Sequence, residues 1–180
     1  LYLCLSDFVR PLSSGTPDIV GVFASTISED AEETYKSDPY KHLLVQTLND
    51  RLAEAATEKM HEYVRKEAWG YAPDESLSIP DLLVEKYQGI RPAVGYPSLP
   101  DQSVNFLLDK LLGMEQIGIT LTENGAMHPH SSVCGMMLAH PASRYFAVGK
   151  IGEDQLEDYA RRRGMPVKDM RKFLAANLPK

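Results

Sequence analysis

Long hydrophobic runs and a secretion signal are both missing from this sequence. No apolar run approaches the roughly 20 residues that a membrane-spanning helix requires, and the apolar start, Leu1–Leu5, lacks the basic flank of a signal peptide. Cysteine is scarce: Cys4 and Cys134 lie far apart, which favours two free thiols in a reducing compartment over a disulfide. We therefore expect a cytoplasmic protein with no membrane partner. Because the chain does not begin with Met, we also expect it to be part of a longer protein.

Positive charge is in short supply as well. The formal net charge is −6 at pH 7, which argues against nucleic acid as a main partner. The basic run Arg161–Arg163 follows a group of acidic residues, an arrangement typical of the solvated end of a helix.

The usual fingerprints of nucleotide-binding and nucleophilic enzymes are absent too. There is no Gly-x-Gly-x-x-Gly and no P-loop motif. His128, His130 and His140 have no spacing specific for a metal and no cysteine cluster beside them, so we predict no metal site. Ser131 and Ser132 lie near histidines but outside any Gly-x-Ser-x-Gly context, so we predict no catalytic nucleophile.

What the chain does contain is a mixture of strand and helix signals without βαβα alternation, internal repeats or a linker. This order favours a single α+β domain over residues 1–180 with a largely antiparallel sheet. Apolar and β-branched runs predict strands at residues 1–9, 18–26, 118–122, 132–140 and 143–151, the last two forming a hairpin. Cap and stop signals predict helices at residues 39–69, 81–87, 102–112, 153–163 and 166–176.

The longest of these predicted helices, about 39–69, has a leucine repeat. Leu44, Leu48 and Leu52 recur at helical spacing and predict the buried stripe of the helix. At about 100° per residue, Glu54 lies at the edge of that stripe, where it can face a neighbouring cleft.

Four further residues have chemistry that depends on their surroundings. Glu54 and Glu85 could form the acid–base pair of a small hydrolase, although an isolated glutamate is more often an exposed helix residue. Tyr145 and Phe146 close the predicted hairpin, and consecutive strand residues point to opposite faces, so we expect one ring in the core and the other facing out.

The segment Ile90–Pro100 is the most informative part of the sequence. Its prolines fix an extended path that is neither ordinary helix nor central strand. Gly95 permits a turn or the close passage of a ligand. Arg91 offers a planar charged fork suited to a carboxylate or phosphate, and Tyr96 offers an aromatic face with a polar tip. We therefore predict a rigid loop that holds a small polar ligand.

Ten segments of the chain, in order, resemble one family: the C-terminal activation domain of cobalamin-dependent methionine synthase. These segments are Leu5–Val9, Asp50–Ala55, Val64–Lys66, Trp69–Pro73, Tyr87–Ala93, Gly95–Pro97, Leu121–Glu123, His140–Pro141, Ser143–Tyr145 and Glu157–Arg162. Together they cover nearly the whole chain, and the Arg-Pro-Ala-x-Gly-Tyr-Pro loop is the most specific of them.

The resemblance implies a single bent α+β domain with a twisted antiparallel sheet and surrounding helices. It implies a module of a larger methyltransferase in amino-acid biosynthesis, one that binds S-adenosylmethionine and docks over a cobalamin (vitamin B12) domain when that cofactor has been oxidised. An electron from flavodoxin or a similar donor and the S-adenosylmethionine methyl group would then restore methylcobalamin. Methionine formation from methyltetrahydrofolate and homocysteine would occur on other modules.

The resemblance also implies the residues that contact S-adenosylmethionine. They are Asp7, Glu54, Glu85, Arg91, Ala93, Gly95, Tyr96, Tyr145 and Phe146. Arg91 would pair with the methionine carboxylate, the acids would oppose the ligand's positive charge, and the rings would face the adenine or the sulfonium. Two alternatives stay open: a free-standing regulatory domain that binds the same ligand, and the hydrolase that uses Glu54 and Glu85.

Overall fold

The computed structural model describes residues 3–179 and has mixed α and β structure. Its helices are α1 (Asp30–Thr34), α2 (Pro39–Tyr63), α3 (Ile79–Leu83), α4 (Val104–Leu112), α5 (Glu153–Arg163) and α6 (Val167–Phe173). Its strands are β1 (Gly21–Thr26), β2 (Thr120–Leu121), β3 (Met127–His128) and β4 (Ser132–Met137). The predicted α+β class with antiparallel pairing is confirmed.

The strands form small antiparallel sheets. β1 pairs with β4 along its whole length, from Gly21 opposite Met137 to Thr26 opposite Ser132, and β2 pairs with β3. Isolated bridges join Ile90 to Leu138 and Ala93 to Gly135. Because a strand has two hydrogen-bonding edges, these bridges attach the segment around residues 90–94 to the edge of β4 that β1 leaves free.

The long helix predicted at 39–69 is confirmed. Asp38 caps α2 by accepting a hydrogen bond from the Lys41 amide, and Pro39 occupies the first turn, where its missing N–H has no cost. A π-helical turn, Val64–Ala68, continues the helix. Gly70 then stops it with a left-handed φ of 69°.

The buried face of α2 differs from the prediction. Leu44, Leu48 and Leu52 are 47%, 52% and 54% exposed, so the leucine stripe faces outward. The buried positions are instead Asn49, Ala53, Thr57 and His61. These residues also recur every four positions, and they are small or polar rather than large and apolar. Since α2 packs across β1 and β4, compact side chains on this face allow a close approach.

Two predicted strands are wrong in the described residues. At the N-terminus, where residues 1–9 were predicted extended, Leu5–Phe8 form a 3₁₀ turn, and positions 1 and 2 lie outside the described residues. Residues 143–151 do not pair with β4. Their backbone instead binds the neighbouring loop: the Phe146 amide donates to Ser98 Oγ at 3.0 Å and the Val148 amide to the Pro97 carbonyl at 2.9 Å.

Other boundaries shift by a few residues. The helix predicted at 81–87 is α3, which Ser78 caps and which ends early because Glu85 has a left-handed φ of 56°. The helix predicted at 166–176 is α6 followed by a 3₁₀ turn, Ala175–Asn177. Both cysteines are free, Cys4 exposed and Cys134 buried. Within residues 3–179, no helix combines the length and the apolarity needed to cross a membrane.

A small apolar cluster supports the region where the loop, β4 and the 143–151 segment meet. It consists of Phe8, Ile90 and Leu138, with Tyr145 and Phe146 packed against it. The cluster fixes the base of the Ile90–Pro100 loop and the two aromatic residues together.

Candidate functional site

A cavity of about 530 Å³ lies between α2, α3, the loop after Tyr87 and the Tyr145–Phe146 pair. Seven of the predicted site residues line it: Glu54, Glu85, Arg91, Ala93, Tyr96, Tyr145 and Phe146. These residues come from separate parts of the chain, and the fold brings them to one cavity.

Two of the predicted site residues lie elsewhere. Asp7 lines a different cavity together with Arg10 and His140, and its carboxylate accepts a hydrogen bond from the Cys4 amide at 2.8 Å. Gly95 lines another cavity, together with Pro100 and Gln102, and has a φ of 88°, a left-handed conformation that suits glycine. The structure therefore does not place Asp7 on the wall of the Arg91 cavity, and Gly95 shapes the loop.

The backbone of the Arg91 segment is fixed by β4 and its extension. Ile90 and Leu138 exchange two hydrogen bonds of 2.9 Å, and the Val94 amide donates to the Cys134 carbonyl at 2.9 Å. The segment is thus held on both sides of Arg91 like an edge strand, which explains why proline is tolerated in it.

Glycine is required on β4 opposite this segment. A Cβ on Gly135 would lie 2.3 Å from the Pro92 carbonyl oxygen and 2.8 Å from the Ala93 Cα, both backbone atoms. The missing side chain therefore permits the close approach of loop and strand. Gly135 was not among the predicted residues, because a glycine inside a strand pattern does not reveal which backbone approaches it.

Arg91 is held by contacts with two other parts of the chain, α2 and the 143–151 segment. Its guanidinium pairs with Glu58 of α2, and its backbone N–H donates to the Tyr145 hydroxyl at 3.0 Å. Burial opposes the charge, but the hydrogen bond to Glu58 and neighbouring groups outweigh it, so the pKa of Arg91 is raised. Among the described residues, the Nε of Arg91 and the Oε1 of Glu58 are buried without a hydrogen-bond partner.

Tyr96 closes the other end of the segment. Its hydroxyl donates to Glu54 Oε1 at 3.1 Å, and Glu54 also accepts from Arg51 at 2.9 Å. Burial, and then the bond to the Glu54 carboxylate, raise the pKa of the Tyr96 phenol. Tyr96 is still 49% exposed, so part of the residue remains open to solvent.

Tyr87 lines the cavity, and its ring also packs against a buried charged group. The Arg65 guanidinium lies 4.4 Å from the centre of the Tyr87 ring, and the His61 ring meets it edge-on at 5.1 Å. Arg65 is fully buried and binds Glu75 through two hydrogen bonds of 2.8 and 2.6 Å. Burial, together with Arg65 and Arg91, lowers the pKa of His61 to about 3.

Tyr145 and Phe146 both line the cavity although they are not in a strand. Phe146 also contacts Phe8, with ring centres 6.4 Å apart, and burial raises the pKa of the Tyr145 phenol. The prediction that the two consecutive rings separate to opposite faces depended on a strand conformation that this segment does not have.

The comparisons with known proteins agree with this architecture. The family model for the vitamin B12 dependent methionine synthase activation domain matches residues 1–164. The chain belongs to this family. A crystal structure of the MetH reactivation domain bound to AdoHcy matches with a TM-score of 0.91 and 48% identity, covering 98% of this chain and 56% of that chain. The chain therefore spans a little more than half the length of that solved chain.

In this activation domain, the cavity combines one cation with several carboxylates. Glu54, Glu58 and Glu85 surround it together with Arg91. The guanidinium can donate two parallel hydrogen bonds to the carboxylate of a ligand. The excess of acidic residues favours a ligand that also carries positive charge. The aromatic walls provide flat surfaces for a planar ring.

Several cavity residues of the activation domain were missed by the sequence analysis. They are Thr57, Glu58, Leu82, Leu83, Tyr87, Pro92, Pro97, Ser98 and Val133. Glu58 could have been found, because it lies four residues after Glu54 and therefore on the same side of the predicted helix. Pro92, Pro97 and Ser98 belong to the Ile90–Pro100 segment that was predicted to hold a ligand, but they were not named as contacts. The remaining residues depend on tertiary contacts that have no local signal.

Proposed function

We propose that this chain is the S-adenosylmethionine-binding reactivation module of a cobalamin-dependent methionine synthase. Residues 1–180 would form its activation domain within a longer methyltransferase chain. The observation that carries the proposal is the single cavity that joins Arg91 to acidic and aromatic side chains. The 48% identical MetH domain bound to AdoHcy supports it, because AdoHcy is S-adenosylmethionine without the transferred methyl group.

The proposed binding mode follows from the chemistry of the ligand. Arg91 receives the carboxylate of the methionine moiety. Glu54 and Glu85 face the positive sulfonium and ammonium groups. Tyr96 and Tyr145 offer aromatic surfaces to the adenine or the sulfonium. The contact proposed for Asp7 would need a ligand group that reaches beyond this cavity.

The role of this chain in the reaction is to position the methyl group. Reduced cobalamin, held by a neighbouring domain, would supply the nucleophile, and S-adenosylmethionine would supply the methyl group and be released as a neutral thioether. The protein therefore needs no general base, and its residues bind the ligand and orient the methyl group toward the docked domain.

The partners of the module are proposed on the same basis. They are the cobalamin-binding domain of the same enzyme and flavodoxin or a similar electron donor in the cytoplasm. Neither nucleic acid nor a membrane is a partner. The isolated chain does not make methionine from homocysteine, because methyltetrahydrofolate and homocysteine are handled by other modules.

The hydrolase alternative has no support among the described contacts. The Glu54 carboxylate is bonded to Tyr96 and Arg51. Glu85 is exposed to solvent, whereas the general acid of such a pair is usually desolvated.

Calorimetric titration with S-adenosylmethionine tests the proposal. Arg91→Ala is expected to weaken binding by about 2–3 kcal/mol, the range for losing one charged hydrogen-bonding partner. Arg171→Ala is the matched control, because Arg171 is an exposed arginine paired with Glu153. Absence of binding to the unmodified chain would overturn the function, and unchanged affinity in Arg91→Ala would overturn the role of Arg91.

A further inference from the structure

Two carboxylates of α2 reach the two ends of the ligand-facing segment. Glu54 and Glu58 are four residues apart and so lie on one side of the helix, about one turn from each other. Glu58 pairs with the Arg91 guanidinium, and Glu54 accepts the Tyr96 hydroxyl at 3.1 Å. One face of α2 therefore contacts both functional side chains of the segment.

The backbone of the segment does not need these carboxylates. Its hydrogen bonds to Leu138 and Cys134 hold it against β4 independently of α2. Removing the Glu58 carboxylate would leave this backbone frame intact. The described contact of Glu58 is with the Arg91 side chain rather than with this backbone.

The ion pair leaves most of the Arg91 fork for another acceptor. The described hydrogen bond of the guanidinium uses one terminal nitrogen and one Glu58 oxygen. Among the described residues, the Arg91 Nε remains buried without a partner. Because the guanidinium is planar and rigid, fixing one of its nitrogens fixes the directions of its other N–H groups.

We propose that Glu58 is a positioning residue that orients the Arg91 guanidinium for a ligand carboxylate. The inference rests on the proposed function. The alternative is a competitive role, in which Glu58 would occupy the Arg91 guanidinium until the ligand displaces it. The positioning role is favoured because Glu58 bonds to a single nitrogen of the Arg91 guanidinium, and Arg91 still lines the cavity.

Binding measurements on Glu58→Gln distinguish the two roles, since glutamine keeps the size of the side chain and removes its charge. We expect S-adenosylmethionine to bind about tenfold more weakly, the effect of losing a partly exposed charged hydrogen bond. Affinity for 5′-methylthioadenosine, which lacks the carboxylate, should stay within about twofold. The double variant with Arg91→Ala should bind no more weakly than Arg91→Ala alone.

Glu62→Gln is the matched control, because Glu62 lies one turn further along α2 and pairs with Lys59 and Lys66. Equal or tighter S-adenosylmethionine binding by Glu58→Gln would overturn the positioning role, and so would fully additive losses in the double variant. Binding of S-adenosylmethionine by the unmodified chain shows that either result concerns Glu58 rather than the proposed function.

A measurement without ligand completes the test. In the free protein, the NMR signal of the Arg91 Nε–H should exchange with water faster in Glu58→Gln than in Glu62→Gln, because the guanidinium is no longer held. Equal exchange in the two variants would overturn the inference even if the unmodified chain failed to bind S-adenosylmethionine.

Discussion

At the scale of the residue, Glu85 has a conformation that its side chain does not favour. It is the one described residue other than glycine with a positive φ, 56°, and it lies two residues after the end of α3, on the wall of the cavity. Glycine adopts this conformation without the steric cost that a Cβ introduces. A charged residue at such a position suggests that the side chain is kept for function.

Glu85→Gly should therefore separate stability from binding. We expect the free energy of unfolding to stay equal or rise by up to about 1 kcal/mol, because the left-handed strain is relieved. Affinity for S-adenosylmethionine should fall, because a carboxylate is lost from the cavity. Urea denaturation and calorimetry measure the two effects, and a lower unfolding free energy would contradict the strain argument.

The residues that could be predicted from the sequence are those in an unusual local context. Arg91 and Tyr96 were identified because prolines surround them, and the structure places both on one cavity. Glu58 was missed because an isolated glutamate in an amphipathic helix is usually a surface residue. Its spacing from Glu54 places it on the same side of the helix, but its partner Arg91 is 33 positions away in the chain, and no local pattern indicates that contact.

At the scale of the element, β4 is the strand on which the cavity is built. It binds β1 on one edge and the Arg91 segment on the other. Gly135 makes this double pairing possible because nothing projects from it toward Pro92.

Gly135→Ala should destabilise the protein by about 1–3 kcal/mol, the range for overpacking, and weaken ligand binding together with it. Gly21→Ala on β1 is the control, because its added Cβ would lie 3.1 Å from the Met137 side chain and would not touch the Arg91 segment. Thermal unfolding and calorimetry of both variants test this. Unchanged ligand affinity in Gly135→Ala would show that the segment can move away without harm to the cavity.

Elements were predictable where their ends have chemical signals. Pro39 at the start and Gly70 at the end locate the long helix, and both signals lie in the sequence itself, whereas the cap by Asp38 was seen only in the structure. The buried face predicted for this helix was wrong, because leucine periodicity identifies an apolar stripe but does not show whether another element packs against that stripe. The strand predicted at residues 143–151 was wrong because an apolar run does not show which backbone the segment binds, and here that partner is the Pro97–Ser98 loop.

At the scale of the whole molecule, a buried charged group connects α2 to the cavity wall. Arg65 and Glu75 form an ion pair behind Tyr87, and His61 lies beside them with both ring nitrogens unpartnered among the described residues. His61 also faces the charge of Arg91. Two nearby cations and burial all oppose a charge on His61.

The stability of the protein should therefore fall as the pH falls below about 6.5. The folded-state pKa of His61, about 3, is lower than its unfolded value of 6.5, so the unfolded chain binds the extra proton between these values. At pH 5 the resulting loss in the free energy of unfolding is about 2 kcal/mol. Urea unfolding of the unmodified chain and of His61→Phe at pH 7 and pH 5 measures it. An equal pH dependence in both proteins would exclude His61 as the cause.

The attachment of the Arg91 segment to β4 has a consequence for how a ligand enters. Because that backbone is already ordered in the free protein, little chain entropy is lost when a small molecule arrives. Recognition then needs only side-chain adjustment at the rim, and the speed of capture is governed by diffusion into the opening rather than by refolding of the loop.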